Sequence, residues 1–133
     1  MASELKVDKF TGVTTAGSIL VTGEGNSTTT NLQQGLAKCW VNFDGTGTPS
    51  INDSFNASSL NDNNTAEVSV NFSSNMSNAN YATSGAGSTD NVIVTTSRGT
   101  LNSTSILTTY IVNLSGTATE VGTVNALAHG DLA

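Results

Sequence analysis

Glu67-Val68-Ser69-Val70-Asn71-Phe72 decides the fold class. In an extended chain Val68, Val70 and Phe72 share one side and Glu67, Ser69 and Asn71 the other, because successive strand side chains point to opposite faces. The pattern recurs in Ala37-Lys38-Cys39-Trp40-Val41-Asn42-Phe43, where Cys39, Val41 and Phe43 fall in phase. Small polar residues fill most of the wet side, and they dominate the whole chain: 17 Ser, 21 Thr and 16 Asn make 54 of 133 residues. Charged residues are only 11%, so those faces are mostly neutral. Such faces suit repetition, edge packing and contact with other chains more than acid–base chemistry.

Working outward, strands are expected at 37–43, 50–56 (Ile51 and Phe55 in phase), 66–72, 80–85, 91–97, 104–114 and 119–127. Turn signals separate them: Asp44-Gly45-Thr46-Gly47-Thr48-Pro49, Asn61-Asp62-Asn63-Asn64, Gly85-Ala86-Gly87 and Arg98-Gly99. The run 104–114 carries apolar residues on both sides, as a central strand covered on both faces would. Short strands at this spacing predict an all-β, antiparallel sandwich or jelly-roll-like domain over residues 36–133. From Leu36 onward, 27 of 98 residues are large and apolar, enough for one β core. The only helical expectation is a single turn at 30–36, with Gly35 as its stop.

Residues 1–35 differ. Leu5, Val7, Phe10, Val13, Ile19, Leu20, Val21 and Leu32 are widely spaced among Gly, Ser and Thr, too few to bury a core. Short strands near 4–9 and 18–22 and a polar stretch at 23–31 describe an arm that a partner, or copies of itself, would order. Leu5, Val7, Phe10, Ile19 and Val21 are therefore the candidate anchoring and oligomer contacts. With hydrophobic residues at 36%, the chain as a whole is expected to gain stability by associating.

The balance of four Lys and Arg against ten Asp and Glu gives a net charge of −6. That leaves no basic patch to neutralise phosphates or an anionic membrane surface, so neither nucleic acid nor membrane is expected as a partner. No apolar stretch approaches the roughly 18–20 residues of a spanning helix. Met1-Ala2-Ser3-Glu4-Leu5-Lys6-Val7-Asp8 has an early acid and no apolar h-region, so assembly in a cytoplasm is expected.

No motif for catalysis emerges, and no cofactor or metal is expected. His129 is the only histidine, with no Cys partner nearby and no Gly-x-Ser-x-Gly. Asp44, Asp53, Asp62, Glu67, Asp90 and Glu120 lie mostly in turns or at strand ends, without the spacing of a glycosidase pair. The oxygen-rich stretch 62–67 lacks the turn glycine of a calcium loop. Cys39, the sole cysteine, reads as a buried small hydrophobe. Eight Asn-x-Ser/Thr sequons stand against the ~5 that this composition produces by chance, so they are no evidence of glycosylation. Trp40 and Tyr81 are the available aromatic contacts for a glycan, although such a Trp is more often core or subunit interface.

The runs from Gly35-Leu36-Ala37-Lys38-Cys39-Trp40 to Asp44-Gly45-Thr46-Gly47, then Ile51-Asn52-Asp53-Ser54-Phe55-Asn56, Ser59-Leu60-Asn61-Asp62-Asn63 and Met76-Ser77-Asn78-Ala79-Asn80-Tyr81, resemble a known domain. It is common in fibre-type virion proteins of tailed bacteriophages, particularly marine ones infecting cyanobacteria and related hosts. The opening Met1–Asp8 is similar to amino ends that dock such fibres to the particle. The resemblance implies a homotrimeric, non-enzymatic virion protein with an amino-terminal anchor, a linking strand region and a β domain. A short tail fibre, a head fibre and a capsid decoration protein all fit. The expected partners are capsid or tail proteins and further copies of the chain. The alternative is an adhesion module that binds a host-surface glycan.

Overall fold

The computed structural model describes residues 4–12, 19–23, 25, 27–96 and 102–133. Residues 1–3 of the expected docking segment, Val13, the opening of the strand expected at 18–22 and the Arg98-Gly99 turn lie outside them. The chain divides into two compact units, with the break between Leu36 and Ala37.

The first unit holds a small antiparallel hairpin, β1 (Leu20–Thr22) with β2 (Thr29–Asn31), followed by the single turn α1 (Leu32–Gly35). Asn31 caps that turn: its side-chain oxygen accepts from the amides of Gln33 and Gln34 at 2.8 and 3.3 Å. The strand expected near 4–9 does not form, and residues 4–12 are exposed throughout. A lone strand has no ladder partner for its N–H and C=O groups, so alternation there cannot produce one.

The second unit is an all-β sandwich of two four-stranded antiparallel sheets. Its strands are β3 (Cys39–Asp44), β4 (Ser50–Phe55), β5 (Ala57–Asn64), β6 (Glu67–Phe72), β7 (Ala82–Gly87), β8 (Val92–Thr95), β9 (Ile106–Asn113) and β10 (Val124–His129). One sheet has the order β4-β3-β10-β7 and the other β5-β6-β9-β8. Cys39, Val41 and Phe43 of β3, Val68, Val70 and Phe72 of β6, Leu107 and Ile111 of β9, and Val124, Ala126 and Ala128 of β10 fill the space between. The alternation of the opening hexapeptide is thus realised, with Val70 across from Leu107 and Val68 across from Thr109. Central β9 also carries Ile106, Tyr110 and Val112 on its outer side, where all three are half-buried.

Four expectations shift in this unit. Gly85-Ala86-Gly87 is not a turn closing a strand at 80–85 but the end of β7, paired with β10, and the chain reverses at 88–91. Asn61–Asn64 is not a turn but the end of β5, and the chain reverses at Thr65-Ala66, where Ala66 takes φ 58°. Edge strands tolerate small polar residues on their open side, and β5 is an edge. The last strand begins at Val124 and not near 119, because Gly122 interrupts the run and Thr119 and Val121 bond instead to Ile111 and Gly45. Ile51 and Phe55 do not share a face. A register shift lets Asn42 pair with Asp53 but Phe43 with Ile51, so one residue is skipped and every side chain beyond it changes side.

The passage from β4 to β5 turns on Asn56, with φ 59°. Its Nδ2 donates to the carbonyls of Lys38 and Ser74 at 2.9 and 3.0 Å, and its Oδ1 accepts from the Ser74 amide at 2.6 Å. Asn tolerates this left-handed backbone better than most residues. One side chain therefore ties the lead-in to β3 to two segments that switch between the sheets.

Candidate functional site

The outer face of the β4-β3-β10-β7 sheet brings together what functional chemistry the domain offers. Because Cys39, Val41 and Phe43 point inward, Trp40 and Asn42 must point outward. The pairing places Phe55, Trp40, Leu127 and Ser84 in one cross-strand row. Asp53, Asn42, Asn125 and Ala86 form the next. Trp40 is 39% and Phe55 50% exposed, so the sheet carries an uncovered aromatic pair at its β4 side.

Beside the aromatics runs a chain of amides. Asn52 Nδ2 donates to Asn42 Oδ1 at 2.9 Å, and Asn42 Nδ2 donates to Asn125 Oδ1 at 2.7 Å. These bonds fix the three side chains and commit Asn125 Oδ1, leaving the Asn125 amide nitrogen as the donor facing the β7 side.

On that side the outward residues of β7 are all small, Ala82, Ser84 and Ala86, while Trp40 and Leu127 stand tall across the sheet. The difference in height leaves a hollow of about 280 Å³, walled by Trp40, Leu127, Ser84, Ala86 and Asn125. Its lining is mainly apolar with a few fixed polar groups, the composition of a small-molecule site.

Tyr81 is elsewhere. It is half-buried, meets Phe72 edge-on with ring centres 5.7 Å apart, and donates its hydroxyl to the Ile106 carbonyl of the opposite sheet. Burial, with a lesser contribution from charge on Cys39, pushes its hydroxyl up to about 12. Tyr81 therefore braces the two sheets, and the structure does not bring it together with Trp40. Cys39 is fully buried as expected, and burial raises its thiol to about 11, which keeps it protonated and unreactive.

Of the candidate anchoring residues, Leu5 is 74%, Phe10 62% and Val21 52% exposed. Val7 is exposed and Ile19 half-buried, its carbonyl accepting from the Leu32 amide at 2.8 Å. Asp53, Asp62 and Glu67 lie within strands, whereas Asp44 serves a turn: it accepts from the Thr46 hydroxyl at 2.7 Å and amide at 2.9 Å, bonds that hold its carboxyl below the usual range. Glu120 accepts from the Gly47 amide at 3.1 Å. His129 ends β10 across from Ala82. Among the described residues, no three of His, Cys, Asp and Glu converge as ligands to a metal would.

Phe55 and the Asn42–Asn52–Asn125 row were not legible as site residues. The register shift that turns Phe55 outward has no sequence marker, and the amides come from three strands whose order only the fold defines. No family model, no curated protein and no solved structure matches the chain.

Proposed function

We propose that this protein is a non-enzymatic structural component of a tailed-phage particle, a short fibre or decoration protein held by residues 1–35 and working as a homo-oligomer, with threefold association the arrangement its resemblance implies. The observation that carries this reading is the state of the first unit. Leu5, Val7, Phe10, Leu20 and Val21 are all exposed, and a hairpin of two three-residue strands provides nothing to cover them. An isolated two-stranded hairpin is marginal in water. Apolar side chains dispersed along such a segment gain most by docking into another surface, through apolar contact and strand addition. The β sandwich, by contrast, has its own core and satisfies its buried side-chain polar atoms within the described residues.

Removing residues 1–35 tests the reading. The remaining domain is expected to stay soluble and folded but to be lost from purified particles, while the full chain runs in native mass measurements as a multiple of 13.5 kDa. Particle incorporation that survives the truncation would refute the anchoring role. A full chain that stays monomeric at high concentration would refute the association.

A further inference from the structure

We propose that the hollow beside Trp40 is a binding site for a neutral saccharide. This inference rests on the second unit alone, so it stands or fails separately from the anchoring role. Three features converge on that ligand class.

The first is the Trp40 indole, 39% exposed at the rim, which offers the apolar surface on which the C–H face of a pyranose ring packs. The second is the fixed polar set. Asn125 is held by Asn42, which Asn52 holds in turn, so its amide N–H groups are oriented before any ligand arrives. With the Ser84 hydroxyl on the far wall, the hollow has a donor on one side and a donor-acceptor on another, suited to sugar hydroxyls. Prior fixation matters because a ligand then bears less of the ordering cost.

The third feature is charge. Of the two cross-strand rows only Asp53 is an acidic or basic residue, and it lies on edge strand β4, at the opposite side of the sheet from Ser84 and Ala86. The chain carries a net charge of −6, so an anionic sugar or a phosphate would find no cation here and a repulsive surround. The volume of about 280 Å³ admits one or two sugar rings. A second copy of the chain is a poorer occupant, since it would bury the amide row and Asp53 against itself.

Trp40 is the only tryptophan, so its emission reports occupancy without a label. The full chain is titrated with glucose, galactose, mannose, N-acetylglucosamine and their oligomers, and in parallel with glucuronate and sulfated galactose. The expected result is a saturable change in emission with a neutral sugar, weak for monomers and tighter for oligomers. Ala86→Leu fills the hollow from an exposed position on β7 while keeping Trp40 itself, and should weaken binding at least tenfold. Asn125→Ala should weaken it several-fold. Circular dichroism and thermal melting establish that each variant is folded. No response across the neutral panel overturns the proposal, as does a response that survives Ala86→Leu or one confined to the anionic sugars. A concentration-dependent blue shift of Trp40 that Ala86→Leu abolishes, without any sugar response, would assign the face to a second copy and likewise overturn it.

Discussion

Replacing Asn56 tests whether the corner between the sheets is held as described. Asn56→Ala removes three side-chain hydrogen bonds, to Lys38, to Ser74 and from the Ser74 amide. One is part-buried and two are exposed, so at about 0.5–1.5 kcal/mol each the loss is about 2–3 kcal/mol. The substitution also asks Ala to hold φ 59°, which costs about 1 kcal/mol more. The total is about 3–4 kcal/mol, a large share of the 5–15 kcal/mol that separates folded from unfolded states of small domains. Asn56→Gly loses the same bonds but not the backbone compatibility, and should cost about 1 kcal/mol less than Asn56→Ala. Urea unfolding followed by Trp40 emission reads both differences. With a slope of about 1–2 kcal/mol per M, Asn56→Ala should move the midpoint down by about 2 M. A loss under about 1 kcal/mol for Asn56→Ala would show that the corner is held by the strands themselves, and the reasoning would be wrong.

Three further outcomes are expected. Gly85 faces inward, where an added Cβ would lie 2.7 Å from Thr96 Cγ2 and 2.8 Å from Val94 Cγ1, so Gly85→Ala should lower the unfolding free energy by about 1–3 kcal/mol in the same urea assay. In the buried cluster where Asn63 Nδ2 donates to Ser69 Oγ and Ser69 Oγ meets Thr108 Oγ1 at 3.0 Å, the two hydroxyls are not equivalent. Thr108→Val leaves Ser69 bonded to Asn63 and should cost about 1 kcal/mol, while Ser69→Ala strands the buried Thr108 hydroxyl, the exposed Asn63 amide turning to water, and should cost about 2 kcal/mol, again by urea unfolding. Cys39 has its folded pKa raised to about 11 from an ordinary 9.0, so between those values the folded state holds more protons than the unfolded one. Stability from this group is therefore complete below pH 9 and lost as pH rises through 11, by about 2–3 kcal/mol. Tyr81 adds a loss of the same sign at still higher pH. Melting temperature measured from pH 8 to 11 should fall less steeply in Cys39→Ala than in the parent, whatever the two proteins' difference at pH 8.

How far the fold was legible depended on whether a strand declared itself by alternation alone. β3 and β6 did, because their apolar residues face a shared core and repeat with period two, whereas the long β9 showed itself by length and by apolar residues on both sides. β5 did not: on an edge, Ala57–Asn64 presents Ser, Asn and Asp, and these residue types in series also spell a turn. The interior placement of Tyr81 was equally hidden, since its partner Ile106 comes 25 residues later, on the other sheet. Expecting Trp40 in the core or a subunit interface gives its strand phase too little weight: Cys39 and Val41 are buried, so the residue between them faces out. The hollow depends on what β7 lacks, and the smallness of Ser84 and Ala86 means nothing until β10 places them two strands from Trp40.

The exposed segment 4–12 limits how such an arm is able to dock. Fixing nine residues costs about 10 kcal/mol of backbone entropy at the lower end of the usual range. Burying Leu5 and Val7, which share one side of an extended arm, returns about 3–6 kcal/mol, Phe10 lying on the other side with Lys6. Apolar contact with a flat surface therefore falls short by several kcal/mol. Backbone hydrogen bonds made to an open strand edge, each worth about 0.5–1.5 kcal/mol, are of the size needed to close that gap. For the proposed anchoring role this favours strand addition, which satisfies the arm's N–H and C=O groups while the alternate side chains at 5 and 7 enter the same apolar surface. Leu5→Asp and Val7→Asp should then each abolish incorporation into particles, whereas Lys6→Ala, whose side chain faces the other way, should leave it within about twofold of the parent by quantitative immunoblot of purified particles. Equal sensitivity at all three positions would mean the arm docks in some other conformation.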